Sequence, residues 1–138
     1  MLLRPANEYE LPLILRAAAA FDLDVQCPNY RQFMVALKEN AVVGFGRIIQ
    51  HSGFSELATL GVIAEEQGKG IGSQLVRALA ERVHHEPLYI VTVLPIFFER
   101  LGFQASDASL AEFIPKIRFC EAFGFTPDEI KLMQLLKA

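Results

Sequence analysis

The first residues of the chain carry a strand-like and then a helix-like pattern of apolar positions. Residues 2–5 predict a short strand, and residues 8–20 predict a helix. Asn7, with Glu10 three residues later, forms a capping box that satisfies free amides at the start of a helix. The polar, proline-containing segment at residues 22–30 predicts a loop.

Three strand patterns follow, and the first two are close enough in sequence to pair with each other. Residues 33–37 and 41–50 are separated by a short polar turn, which predicts an antiparallel hairpin. Gly44 and Gly46 within the second strand indicate a bulge or the close approach of another backbone. Residues 57–63 are almost entirely apolar, which is typical of a strand in the middle of a sheet.

The chain then alternates between helix and strand. The charged and glycine-rich residues 65–72 open a predicted helix that runs to His84 with an apolar stripe along one face. Residues 88–94 predict another buried strand. Residues 95–101 predict a short helix, because proline suits its first position and Gly102 suits its end.

The last part of the chain is predicted to be helical. Residues 115–123 are compatible with a helix, and residues 126–129 have the composition of a strong helix start. We therefore expect residues 130–136 to be helical, although their side chains would also suit a strand, and this apolar stretch would suit a homodimer interface. No repeat or linker interrupts residues 1–138, which predicts a single domain.

Composition and charge exclude several classes of protein. Hydrophobic residues make up 52% of the chain and charged residues 21%, as in an ordinary globular protein. The net charge of −3 argues against a dedicated nucleic-acid-binding protein, and no run of about 20 uncharged apolar residues predicts a membrane span. Cys27 and Cys120 belong to no cluster of metal ligands, so we expect no metal site and a reducing, cytoplasmic environment.

The strongest chemical signal lies in the glycine-rich residues 67–73. They follow an apolar strand and open a helix, whose first amides lack partners within the helix and carry partial positive charge. Gly68, Gly70 and Gly72 allow the backbone to approach an anion closely, and Lys69 adds a positive charge beside them. This segment therefore predicts a site for a phosphate-bearing ligand.

Two familiar nucleotide-binding motifs do not fit this segment. A P-loop requires a lysine followed by serine or threonine, and no such pair occurs in the chain. A dinucleotide-binding loop requires an acidic residue about 20 positions further on, whereas the next strand ends in Thr92-Val93-Leu94. A tight structural turn that binds nothing stays open as an interpretation of the loop alone.

Two segments resemble the signature motifs of the GNAT superfamily of N-acetyltransferases. Residues 67–72 match the motif [RQ]xxGx[GA], and residues 97–103 match the motif F[YF]xxxGF about 30 positions downstream. The order of predicted elements before the loop also fits, so the resemblance covers residues 2–105. A weaker similarity, over about 30 residues that include Thr92 and Phe98, relates the chain to the N-acetylglutamate-synthase-like branch.

The resemblance implies a fold, a ligand and a reaction. The implied fold is α/β (α+β), with a mixed, mostly antiparallel central sheet flanked by helices and two parallel strands that splay at a coenzyme cleft. Acetyl-coenzyme A would place its pyrophosphate on the loop, and an amine would attack the thioester directly. A backbone N–H near Gly61 or Val62 would polarise the thioester carbonyl. The implied coenzyme contacts are Leu60, Gly61, Val62, Gln67, Gly68, Lys69, Gly70, Ile71, Gly72, Ser73 and Phe98.

The resemblance also raises two questions of proton transfer. The attacking amine must be neutral, and Glu56 lies in a string, Phe-Ser-Glu-Leu, that resembles the base-bearing strand of the histone-acetylating branch. Glu56 is therefore a candidate general base, and His51, in a turn beside the expected acceptor cleft, is a second candidate. Many family members carry a tyrosine at the position of Phe98 that protonates the departing thiolate, which phenylalanine cannot do.

Three functions stay open from the sequence. The first is an N-acetyltransferase acting on a primary amine of a small molecule or protein. The second is a non-catalytic module that binds acyl-coenzyme A, which the phenylalanine at position 98 would suit. The third is a protein-interaction domain that keeps only the fold. The motif residues Gln67, Gly70 and Gly72 favour the first two.

Overall fold

A computed structural model describes residues 1–136, which form a seven-stranded sheet with helices on both faces. The strands are β1 (Leu2–Pro5), β2 (Phe33–Lys38), β3 (Ala41–Gln50), β4 (Ser55–Val62), β5 (Leu88–Thr92), β6 (Phe103–Ala105) and β7 (Lys131–Leu135). The helices are α1 (Leu11–Ala20), α2 (Ile71–Ala80), α3 (Pro95–Glu99) and α4 (Ile114–Ala122). The strand order is β1-β2-β3-β4-β5-β7-β6. Within residues 1–136, no helix has the length and apolar content needed to cross a bilayer.

The capping box predicted before the first helix is present. Asn7 accepts a hydrogen bond from the Glu10 amide at 3.2 Å, and the Glu10 carboxylate accepts one from the Asn7 amide at 2.8 Å. Arg4 also donates two hydrogen bonds of 2.8 Å to this carboxylate, which ties the helix start to β1. The first turn is a 3₁₀ helix over Glu8–Glu10, and α1 continues from it.

Because successive side chains of a strand point to opposite faces, separate hydrophobic clusters form on the two faces of the sheet. Met34 belongs to the core beneath α2 and α3, whereas its neighbour Val35 belongs to the core beneath α1. In the same way, Ile90 faces α2, and Val91 faces the aromatic cluster beneath α4. The sheet therefore has α2 and α3 on one face and α1 and α4 on the other.

A β-bulge interrupts β4 opposite a glycine of β3. The register shifts between Phe45 and Arg47, so that Thr59 and Leu60 both lie opposite Gly46. A Cβ atom at position 46 would lie 2.8 Å from Leu79 Cδ1 of α2 and 3.1 Å from Leu60 Cδ1, so the glycine leaves room for both leucine side chains. The prediction of a bulge or close approach at this glycine is confirmed.

The parallel strands β4 and β5 pair at one end and separate at the other. Ser55 pairs with Leu88 and Glu56 pairs with Tyr89, and the two strands form no further ladder beyond these residues. The neighbouring strand pairs are antiparallel. A mixed, mostly antiparallel sheet with splayed parallel strands is the fold class that the sequence predicts.

The prediction of a helix over residues 130–136 is wrong, because this segment forms β7. The Glu129 carboxylate accepts hydrogen bonds from Thr126 as the composition suggests, but these bonds close a turn rather than start a helix. β7 pairs with β5 on one side and β6 on the other, which would otherwise leave both with unpaired backbone groups. Met133 is consequently buried within the sheet, and the homodimer suggested by this apolar stretch stays a prediction.

Candidate functional site

A cleft of about 980 Å³ opens where β4 and β5 separate. The loop before α2 closes one end of it, and the segment after α1 and one side of α4 form the walls of the other end. The predicted contacts that line the cleft are Leu60, Gly61, Val62, Gln67, Gly68, Gly70, Ile71, Gly72, Ser73 and Phe98. The structure therefore brings two distant predicted motifs to one cleft.

Backbone conformation explains the glycines of the loop. Gly68 and Gly70 have φ angles of +80° and +85°, in the left-handed region that side chains disfavour, and a Cβ atom at either position would meet nothing within 4 Å. Gly70 is the N-cap of α2, so the amides that follow it point without helical partners towards the cleft end. The Gln67 side chain donates a hydrogen bond of 2.9 Å to the Val62 carbonyl and ties the loop to β4.

Lys69, a predicted coenzyme contact, lies outside the lining of the cleft and forms part of an ion-pair cluster. Its Nζ is 3.0 Å from the carboxylate of Glu66, which also accepts hydrogen bonds of 2.9 and 3.2 Å from Lys38. The hydrogen bonds from Lys38 and Lys69 lower the pKa of Glu66, and Glu66 in turn raises the pKa of Lys38. The cluster anchors the loop to the end of β2 and leaves one net positive charge beside it.

Phe98 contributes an apolar wall. It is buried, and its ring packs edge-to-face against Phe97 and Phe103 with centroids 4.9 and 5.4 Å apart. A phenyl ring in this position shapes the cleft without offering a proton.

Thr59 holds a strained backbone conformation at the bulge. Its φ is +52°, which is unusual for any residue with a side chain and more so for a β-branched one. The Thr59 hydroxyl donates to the carbonyl of Asp24 at 2.8 Å and accepts from Nε of Arg47 at 2.9 Å. Surrounding hydrogen bonds therefore hold the bulge beside Gly61, at the point where β4 lines the cleft.

The buried side chain of Arg47 ties the loop after α1 to the sheet. Besides Thr59, its guanidinium donates to the Gln32 side chain at 3.1 Å and to the Gln26 carbonyl at 3.0 Å. Burial lowers the pKa of Arg47, while the charges of Asp24 and Glu56 oppose this effect. The group stays a cation, since an arginine pKa lies far above neutral pH, and it orders a segment that forms one wall of the cleft.

Glu56 and His51 form a pair at the closed end of β4, where Ser55 and Glu56 pair with β5; the open end is the part around Gly61 and Val62 that does not. Nε2 of His51 lies 2.9 Å from Oε1 of Glu56, and the imidazole is stacked on Phe54 with ring centroids 4.7 Å apart. Glu56 is buried and does not line the cleft, but Ala58, on the same face of the strand, does. Within residues 1–136, no group of three or more His, Cys, Asp or Glu side chains is placed to hold a metal ion.

The walls at the far end of the cleft come from two segments, largely within residues 22–30 and 106–123, where acceptor specificity is expected but no motif is recognisable. They consist of Phe21, Asp22, Leu23 and Asp24 after α1, Lys116, Phe119 and Cys120 of α4, its C-cap residue Phe123, and Phe125. The three α4 residues and the C-cap follow the spacing i, i+3, i+4, i+7, which places them on one side of a helix. That spacing is visible in the sequence and could have suggested a lining face.

Comparisons with known proteins agree with this geometry. The sequence profile described as acetyltransferase (GNAT) domain matches residues 29–105. Rv2747 from Mycobacterium tuberculosis, solved in complex with CoA and NLQ, is 20% identical with a TM-score of 0.74, and 100% of both chains is covered. Escherichia coli ElaA is 14% identical with a TM-score of 0.68, over 98% of this chain and 99% of that one.

N-acetylglutamate synthase from Neisseria gonorrhoeae, complexed with coenzyme A and N-acetyl-glutamate, has a similar fold. It is 15% identical with a TM-score of 0.71, and the match covers 97% of this chain and 34% of the synthase. The chain thus spans about a third of that protein's length. At these identities, the structural likenesses show a shared fold.

Proposed function

The chain belongs to the GNAT family of acetyltransferase domains, and on that premise we propose that it transfers an acetyl group from acetyl-coenzyme A to a primary amine. The observation that carries the proposal is the cleft itself, because splayed strands and a glycine-rich helix start meet there. A helix N-terminus with free amides suits a pyrophosphate. The solved relatives in complex with CoA support the same ligand.

The residues of the open end of β4 account for binding and polarisation of the thioester. Amides at the start of α2 would hold the pyrophosphate, and the exposed edge of β4 would run alongside the pantetheine arm. A backbone N–H near Gly61 or Val62 would stabilise negative charge on the thioester carbonyl oxygen during attack. The strained bulge at Thr59 immediately precedes these groups, which supports a positioning role for it.

Proton transfer involves the closed end of the strand. The acceptor loses a proton as its nitrogen attacks, and we assign this proton to Glu56, whose carboxylate is oriented by His51. Glu56 lies about 7 Å along the strand from Ala58, so a water molecule would carry the proton. The coenzyme leaves as a thiolate or takes its proton from water, because Phe98 has none to give and a thiol pKa of about 8.5 makes thiolate a tolerable leaving group.

Two observations favour a second candidate, a non-catalytic module that binds acyl-coenzyme A. Phe98 provides no acid, and the carboxylate of Glu56 does not line the cleft.

The cytoplasmic location predicted from the sequence stays part of the main proposal. The free thiols of Cys27 and Cys120 support it, since reduced cysteines are usual in that compartment.

The test is calorimetric titration with acetyl-coenzyme A of the wild type, Gly70→Asp and Gly53→Asp. Both glycines have positive φ, +85° and +86°, and open space around a Cβ atom, so the two variants carry the same backbone strain. Only Gly70→Asp places a negative charge at the anion site. Like charges about 4 Å apart near a protein surface repel by about 4 kcal/mol, so we expect a loss of at least 100-fold in affinity.

The control variant and an assay of thiol release then separate the alternatives. Binding by the wild type and Gly53→Asp but not Gly70→Asp, with thiol release on a panel of amines, supports the acetyltransferase. Binding without release on any amine favours the non-catalytic module. If the wild type does not bind acetyl-coenzyme A, both coenzyme-dependent functions are excluded and a protein-interaction domain is left.

A further inference from the structure

The helix α4 has an unusual distribution of apolar side chains. None of its residues is buried, yet Phe119 and Cys120, together with the C-cap residue Phe123, line the cleft on one side of the helix. The rings of Phe119 and Phe123 lie 5.0 Å apart, and Phe123 is 51% exposed. Phe125, just beyond the helix, lines the same end and is 37% exposed. Aromatic side chains left open in a concave site indicate a ligand with an apolar body.

The opposite wall brings this aromatic surface next to the reacting position. Leu23 and Phe21, in the segment after α1, line the same cleft as Phe119 and Phe123. A Cβ atom at Gly61 would lie 3.2 Å from Leu23 Cδ1, so the wall lies directly beside the residue whose backbone faces the thioester. A ligand between the two walls would therefore lie next to the acetyl group.

Charges of both signs lie around this end. Asp22 and Asp24 line it, Lys116 of α4 and Arg100 are the basic side chains of the lining, and the buried Arg47 guanidinium also acts on Asp24. The charge of Asp24 adds to burial in raising the pKa of Cys120, while Lys116 opposes it, so the Asp24 carboxylate lies within electrostatic reach of α4. The exposed carboxylate of Asp22, next to Asp24, attracts an ammonium group and would repel a carboxylate on the ligand.

We propose that the acceptor is a monoamine with an aromatic or bulky apolar body and without a carboxylate, and this inference rests on the proposed acetyl transfer. Its ammonium group lies near Asp22 and Asp24, and its body packs against Phe119 and Phe123. The ammonium first loses one proton to water. The neutral nitrogen then forms a bond to the acetyl carbon and loses its second proton through water to Glu56, while the carbon–sulfur bond breaks with its electron pair going to sulfur. The product is a neutral amide, which loses its attraction to the carboxylates and is released with the coenzyme thiol.

The test compares three amines by calorimetry on the full chain saturated with coenzyme A. Phenethylamine has the proposed chemistry, ethanolamine lacks the aromatic body, and L-phenylalanine adds a carboxylate. We expect phenethylamine to bind at least about 10-fold more tightly than either of the others, since burying one phenyl ring contributes about 1.5–3 kcal/mol. The rate of thiol release from acetyl-coenzyme A should follow the same order.

Two variants and one control locate the site. Asp24→Asn keeps an oxygen that can accept the hydrogen bond from the Gln26 amide but removes the charge. Phe123→Ala removes a ring that is half exposed and so leaves the core intact. Each variant should weaken phenethylamine binding about 5- to 10-fold without changing coenzyme affinity. Tyr9→Ala, at a residue that is 92% exposed and outside the cleft, should change neither.

Failure of this inference is distinguishable from failure of the proposed function. If the protein binds acetyl-coenzyme A but prefers ethanolamine, L-phenylalanine or no amine, the acceptor class is wrong and coenzyme binding stands. If Phe123→Ala leaves amine binding unchanged and converts a dimer to a monomer in light scattering, the aromatic face is an interface between copies, and the inference is overturned. If acetyl-coenzyme A itself does not bind, both proposals fall together.

Discussion

The two ends of β4 differ in pairing, burial and proposed role. At the closed end, Ser55 and Glu56 are buried and paired on both sides, with β3 and β5. At the open end, Gly61 and Val62 pair only with β3 and are partly exposed to the cleft. One strand thus anchors the sheet where it is fully paired and offers a free edge where it is not. A ligand-binding edge is stable here because the same strand is fixed a few residues earlier.

The bulge at Thr59 lies at the boundary between the two ends. It adds one residue to β4 and changes which backbone groups face β3 and which face the cleft. Arg47 and the carbonyl of Asp24 hold its side chain, so the boundary is also where the loop after α1 attaches to the sheet. The strained backbone of Thr59, the point where β4 separates from β5 and the attachment of the loop after α1 therefore lie together.

The largest expected effect distinguishes a catalytic role of the closed end of β4 from coenzyme binding at its open end. Glu56→Gln should lower kcat by about 100-fold, because general base catalysis typically contributes 10²- to 10⁴-fold. The affinity for acetyl-coenzyme A should not change, since Glu56 does not line the cleft. Steady-state thiol release and calorimetry measure the two quantities. An unchanged kcat would show that water alone removes the proton.

A smaller effect tests the strain at the boundary. Thr59→Ala and Thr59→Gly both remove the hydroxyl, but only alanine keeps a Cβ atom at a φ of +52°. The glycine variant should therefore have the higher free energy of unfolding in urea, by about 1 kcal/mol.

The matched control for this pair is Ala58→Gly, one residue earlier in the same strand. In an unstrained strand alanine is more stable than glycine, so Ala58→Gly should lower the free energy of unfolding by about 1 kcal/mol. If Thr59→Gly has a lower free energy of unfolding than Thr59→Ala, the bulge is not strained in solution.

The smallest effect lies just beyond the open end, in the ion-pair cluster of Glu66. Its pKa is lowered by Lys38 and Lys69, so its contribution to stability is present above the ordinary value of 4.5 and is lost as the pH falls through the lower folded-state value. Glu66→Gln should thus unfold at lower urea than wild type at pH 7, and the difference should shrink towards pH 3.

The control for the cluster is Glu65→Gln, at the exposed neighbouring carboxylate. It should show little difference from wild type at either pH. A wild-type advantage over Glu66→Gln that persists unchanged at pH 3 would mean that the cluster stabilises the loop by packing rather than by charge.

Local signals in the sequence predicted much of the fold and one half of the site. The glycines of residues 68–72, the helix that follows them and the capping box at Asn7 depend on φ angles and hydrogen bonds within a few residues. The strands up to β5 were predicted to within two residues at each end. Ten of the eleven predicted coenzyme contacts line the cleft, and the exception is Lys69, whose partner Glu66 is also nearby in sequence.

The features that local signals missed depend on contacts between distant parts of the chain. Residues 131–135 have side chains compatible with a helix or a strand. They form a strand because they pair with the otherwise unpaired edges of β5 and β6. The contact of His51 with Glu56 requires the hairpin turn to fold back over the sheet. The strain at Thr59 is held by an arginine from another strand.

By itself the sequence determined the glycine-rich half of the cleft, since a glycine-rich helix start carries its geometry in consecutive residues. Only the tertiary structure decided the half that is proposed to hold the acceptor. Asp24 and Phe123 are far apart in the chain, and they line one cleft because α1 and α4 pack on the same face of the sheet. That packing depends on contacts throughout the hydrophobic core, and a short sequence pattern does not specify such contacts.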